Sequence, residues 1–232
     1  MALRFVTALS AALSAMSLSV APALAEAPCG QPGYSYAGLQ SLTPAYGVGA
    51  ALTALGTPLV ENGHVAAWVG VGGPGEGPRG SDEWLQAGLN SVPGSGNKLY
   101  YEVARPGVPI RYAEIDANVP TGAQRKVAVL EMAHHPDHWR VWIDGRPVTA
   151  PIYLPASHRT LTPMATAESW DGGSPSCNLY SYRFGKVVLA ERAGGAWSLL
   201  RRAYLMQDPG YRVVRHESAF LASARRPLPP GQ

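Results

Sequence analysis

Apolar and polar positions alternate with a period of two along most of the chain beyond residue 64. HVAAWVGVGG (64–73) puts Val65, Ala67, Val69 and Val71 on one face and Ala66, Trp68, Gly70 and Gly72 on the other. EWLQAGLN (83–90) sets Leu85, Ala87 and Leu89 against Trp84, Gln86 and Gly88. In LYYEVA, Tyr100 and Glu102 share a face opposite Tyr101 and Val103, and in TAESW, Thr166, Glu168 and Trp170 oppose Ala167 and Ser169. Side chains of a strand point to alternate faces, so each run reads as a strand with one buried side. KVAVLEMA and WRVWIDGRPV form a hairpin closed by HHPDH, while NLYSYRFGKVVLAE, AWSLLRRAYLM and YRVVRHESAFLASA supply further strands. About ten strands and no helical pattern predict an all-β fold, an antiparallel two-sheet β-sandwich.

Composition agrees with that pattern. The chain has 232 residues with 26 Gly, 21 Pro and only 15% charged residues, which favours short strands joined by turns. A formal charge of +3 is too small to argue for nucleic acid. The N-terminus is different in kind. A cationic MALR start, an apolar run and Ala23-Leu24-Ala25 have the form of a secretory signal peptide cut after Ala25. The expected organisation is therefore a signal at 1–25, first strands at 26–63, the main sandwich at 64–224 and a disordered Pro-rich tail at 225–232. No later stretch has the ~18 apolar residues a membrane span needs. A secreted, monomeric protein is expected, free of membrane once the signal is removed. Export also exposes Cys29 and Cys177 to oxidising conditions, and a disulfide between them would close a loop of about 150 residues, worth ~3–5 kcal/mol.

The residues able to do chemistry narrow quickly. His134, His135 and His138 lie within a proline-containing turn, where polar residues are expected without a metal, so no metal site and no cofactor are assigned. No GxSxG elbow precedes a serine, and no Glu-x-Asp-x-Glu alternation marks a sandwich glycosidase. What remains is one polar face. Trp68, Trp84, Gln86, Glu102, Glu168 and Trp170 share the outward parity of their strands, and Gly70, Gly72 and Gly88 leave a trough between them. Such a trough suits an extended polymer.

In this order, the motifs Trp68-Val69-Gly70-Val71-Gly72, Leu85-Gln86-Ala87-Gly88, Tyr101-Glu102 with Pro106, Ala167-Glu168 and Phe184-Gly185 resemble the glutamic peptidases, the eqolisins. The resemblance runs from about residue 64 to 190. It implies two packed, curved seven-stranded antiparallel sheets, a concanavalin A-like jelly roll, and peptide-bond hydrolysis by a Gln/Glu dyad. Matched position by position, Gln86 and Glu168 take the dyad positions, Trp68 the cleft tryptophan and Glu102 an accessory acidic position. Three differences stand out: Asn90 where the family carries an acid, Ser169 before Trp170, and a proline one residue later than usual.

The chemistry suits these residue types. A carboxylate can take a proton from an attacking water and return it to the leaving nitrogen, and an amide N–H can hold the oxyanion. A secreted peptidase-like hydrolase acting on an extended polypeptide is the leading expectation. A non-catalytic peptide- or glycan-binding sandwich, or a glycan hydrolase using Glu168 and Glu102, stays open.

Overall fold

The period-two runs become strands whose inward residues meet between two antiparallel sheets. The computed structural model describes residues 32–174 and 176–224. The expected signal peptide, the Pro-rich tail and Cys29, and with it the Cys29–Cys177 pairing, lie outside them.

In chain order the strands are β1 (Tyr34–Ser41), β2 (Gly47–Ala54), β3 (His64–Gly73), β4 (Glu83–Ser91), β5 (Asn97–Arg105) and β6 (Val108–Val119). Next come β7 (Gln124–Glu131), β8 (His138–Ile143), β9 (Arg146–Pro147), β10 (Ile152–Tyr153) and β11 (Pro163–Trp170). The last are β12 (Ser181–Arg192), β13 (Gly195–Leu199), β14 (Ala203–Gln207), β15 (Tyr211–His216) and β16 (Ala219–Ala224). One sheet has seven strands in the order β14-β1-β11-β3-β4-β5-β6. The other has nine: β10-β8-β7-β2-β12-β16-β15, with β13 on β12 and β9 on β8. No helix among the described residues is long and apolar enough to cross a membrane.

The core forms where the inner faces meet. Val65, Ala67, Val69 and Val71 of β3 and Leu85, Ala87 and Leu89 of β4 pack in one cluster with Val48, Leu52, Val127, Val129 and Phe184 of the other sheet. Phe184 stacks on Phe220 with ring centroids 4.2 Å apart. Burying each such side chain contributes roughly 1.5–3 kcal/mol, which makes the alternation the main determinant of register.

Several elements depart from the sequence-based expectation. The second sheet has nine strands rather than seven. AWSLLRRAYLM is not one strand: it splits at buried Leu200, so that β13 pairs with β12 while β14 crosses to β1 of the other sheet. The weakly patterned 26–63 region, expected to hold the first strands without defined bounds, supplies two eight-residue strands, β1 and β2. The twelve-residue edge strand β6 had no sequence signal, because most of its side chains are exposed and its register with β5 shifts three times.

One inward position carries a charge-bearing group. Glu83 begins β4 on the parity of Leu85 and Ala87; it is 0% exposed, and neither carboxylate oxygen has a hydrogen-bond partner among the described residues. Burial, with a smaller contribution from Asp137, raises its pKa from 4.5 to about 7. The folded chain therefore holds this proton more tightly than the unfolded chain, and stability falls as pH rises from about 4.5 to about 7. At about 1.4 kcal/mol per unit the full loss is on the order of 3 kcal/mol. Glu83→Gln should remove this component, flattening the melting temperature between pH 4.5 and 7 and raising it above wild type at pH 8. Thermal melts of both proteins across that range check the expectation.

Candidate functional site

The outward face of the seven-stranded sheet holds a cleft of about 760 Å³. Its floor is built by β3 and the strands on either side, β11 and β4. Register fixes which residues meet. Glu168 on β11 pairs with Ala66, and Gln86 on β4 pairs with Gly70, so both flank Trp68 from opposite sides and opposite ends. The offset is two strand spacings, about 10 Å, across the sheet and four residues, about 13 Å, along it before twist and curvature. Anything touching both groups must lie over Trp68.

Small residues make this floor possible. A Cβ on Gly88 would run into the carbonyl of Ala67, and one on Gly38 would meet the Ala165 carbonyl and Thr166. Above them, Ala66, Trp68 and Tyr100 form a small buried cluster, with Tyr36 and Met164 packed against it. This second, outward-facing core holds the catalytic candidates rigidly instead of leaving them on solvated strands.

Glu168 is 5% exposed, and a buried carboxylate needs donors for both oxygens. It has them. The Trp68 indole N–H donates to Oε2 at 3.1 Å, and His64 Nε2 lies 2.8 Å from Oε1. Gln86, 9% exposed, donates its amide N–H to the Tyr100 hydroxyl at 3.1 Å. Glu102 pairs with Gln86 across β4–β5 and accepts the Trp84 indole N–H at 3.0 Å. Burial raises the pKa of Glu102 above the ordinary carboxylate value, and the charge of Glu168 adds to the rise. The Trp84 hydrogen bond and His64 act against it. Burial also pushes the Tyr100 hydroxyl well up, keeping it a neutral phenol.

Of the residues singled out from the sequence, Trp68, Trp84, Gln86, Glu102 and Glu168 all line this one cleft. Trp170 is not in its lining. It sits past the end, packing on Tyr34 at 6.0 Å and on His64 at 5.5 Å, so its place is behind the histidine. Among the lining residues that were overlooked, His64, Tyr36 and Tyr100 matter most to the site. His64 and Tyr100 share parity with Trp68 and Glu102, so the signal was present in the alternation. Tyr36 belongs to β1, a strand expected within 26–63 but not delimited by any pattern there. Asn90 hydrogen-bonds through Nδ2 to the Tyr112 hydroxyl at 3.1 Å and lines the same cleft. The exposed side chains of His134 and His135 remain on the β7–β8 turn, while His138 Nδ1 contacts the Pro136 carbonyl.

Tyr100→Phe tests this arrangement. It leaves the Gln86 amide without its partner in a nearly buried position, a loss of about 1–3 kcal/mol by the usual cost of an unmade hydrogen bond. A denaturant titration should show the lowered midpoint with an unchanged slope.

No protein-family model and no curated protein sequence matches the chain. Solved structures do. Scytalido-glutamic peptidase bound to a peptide-based transition-state analogue matches with a TM-score of 0.58 at 14% identity, over 82% of this chain and 98% of that one. SCP-B, a member of the eqolisin family of peptidases in complex with the tripeptide Ala-Ile-His, matches with a TM-score of 0.55 at 14% identity, over 84% and 100%. The chain therefore has a glutamic peptidase-like fold, a two-sheet antiparallel sandwich.

Proposed function

We propose that this chain is a secreted peptidase-like hydrolase that cleaves peptide bonds with Gln86 and Glu168. The observation that supports the reading most is their placement: both are nearly buried, both open into one cleft, and both flank the same indole from opposite strands. Polar residues sequestered together on a cleft floor, each held by its own partners, are the kind of arrangement found at functional sites.

The chemistry follows from the atoms present. An extended polypeptide lies over Trp68 with its scissile carbonyl between the two groups. The Glu168 carboxylate takes a proton from water as the water oxygen bonds to the carbonyl carbon. The carbonyl oxygen becomes an oxyanion, and the Gln86 amide N–H turns from Tyr100 to stabilise it. The C–N bond then breaks, the proton passes from Glu168 to the leaving nitrogen, and the carboxylate is restored. Glu102, whose pKa burial raises, keeps a proton to higher pH than an ordinary carboxyl and can supply a donor to substrate beside Gln86.

The test is hydrolysis of an unstructured protein such as casein from pH 2 to 7, comparing wild type with Glu168→Gln and Gln86→Ala. Near-ultraviolet circular dichroism checks that each variant folds. Glu168→Gln should fall by at least ~10³-fold and Gln86→Ala by about 10²–10³-fold, the usual range for loss of an oxyanion donor. Folded variants as active as wild type would remove the dyad. A folded wild type inactive across the range would point to a binding module using the same cleft.

A further inference from the structure

Glu168 is held by two donors from one strand. Trp68 and His64 are four residues apart on β3, both on its outward face, and each takes one carboxylate oxygen. The two donors differ in kind. The indole N–H never titrates, whereas imidazole changes charge in the range where a peptidase would work. His64 is also a built-in group. Its side chain is 25% exposed, its ring meets Tyr34 edge-on at 6.1 Å, and it tilts against Trp170 at 5.5 Å. Those two rings are stacked on each other at 6.0 Å, so the imidazole is wedged against a packed aromatic pair with Nε2 directed at Glu168.

We propose that His64 is a positioning residue for the general base, clamping Glu168 through Oε1 so that, with Trp68 on Oε2, the carboxylate is fixed in orientation. This rests on the Gln86/Glu168 reading. A carboxylate with one contact rotates about its own side-chain bonds; with two donors on separate oxygens it does not. Misplacement of a reacting group by about 1 Å can cost 10²-fold in rate, which sets the scale of the effect. The groups facing this pair are Tyr34 and Tyr36 from β1, Trp170 beside it on β11, and Glu102 from β5, whose pKa His64 lowers and Glu168 raises. The phenols are neutral throughout the working range, since burial raises both. Within this set the titrating partners of Glu168 are His64 and Glu102.

The experiment measures kcat and KM separately from pH 3 to 8 on an unstructured fluorogenic peptide, for wild type, His64→Ala, His64→Gln and Glu168→Gln. His64→Ala should lower kcat by about 10–100-fold with KM within about threefold. His64→Gln places an amide N–H near the position of Nε2 and should return kcat to within about fivefold of wild type. If His64→Ala keeps the wild-type kcat and pH profile while Glu168→Gln is inactive, the clamp is overturned and the dyad stands. If wild type itself is folded but inactive, the dyad reading fails, and the clamp is then read by nitrogen-15-edited NMR. An exchange-protected His64 Nε2–H signal that disappears in Glu168→Ala supports the contact; its absence in wild type overturns it.

Discussion

A carboxylate removed from water must find donors for its oxygens or surrender its charge, and Glu168 sits at that constraint on the floor of the cleft. Its two donors come from a single neighbouring strand, which ties the site to the register of β11 on β3. A one-residue slip of that pairing would turn Glu168 into the apolar core and bring Ala167 or Ser169 outward. The core residues prevent this. Ala165 and Ala167 of β11 pack inward beside Val65, Ala67 and Val69, so the hydrophobic pattern that closes the sandwich also aims the carboxylate.

The cleft exists because its neighbours are small. Gly38, Gly70 and Gly88 allow strands carrying Trp68 and Tyr100 to approach without filling the space above them. The large residues then form a second, minor core on the outer face of the sheet. Two indole N–H groups are committed to two carboxyls, Trp68 to Glu168 and Trp84 to Glu102. Each tryptophan thereby contributes apolar area and satisfies an otherwise costly oxygen, a pairing that suits a residue with one donor at the edge of a large ring.

Much of this was legible in the sequence, and the reason is physical. β3, β4, β5 and β11 are each buried on one face by the other sheet, so their alternation is sharp, and parity alone brought Trp68, Trp84, Gln86, Glu102 and Glu168 together. The same parity held His64 and Tyr100, but a lone histidine at a strand start and a tyrosine beside an acid carry no chemical label until their partners are known. β1 was hidden by its composition: Tyr34, Tyr36, Gly38 and Gln40 face outward and Ser35, Ala37, Leu39 and Ser41 inward, so polar and apolar residues occur on both faces. β6 was hidden because an exposed edge strand has little apolar pattern to show. Long-range pairings such as β14 on β1 are set by packing that no local window contains.

Glu168 and Glu102, two of the acids lining the cleft, are separated by their surroundings more than by their identity. Glu168 receives two donors and lies against aromatic rings; Glu102 receives one, and burial together with the charge of Glu168 raises its pKa. Two carboxyls near one another resist ionising together, and the charge of Glu168 is one cause of the raised pKa of Glu102. The cleft is thereby asymmetric, with the Gln86 amide paired beside Glu102 at one end, Glu168 at the other and Trp68 between them. On the proposed reading, the carboxylate end of this asymmetric site would take a proton from the attacking water and the amide end would hydrogen-bond the developing oxyanion.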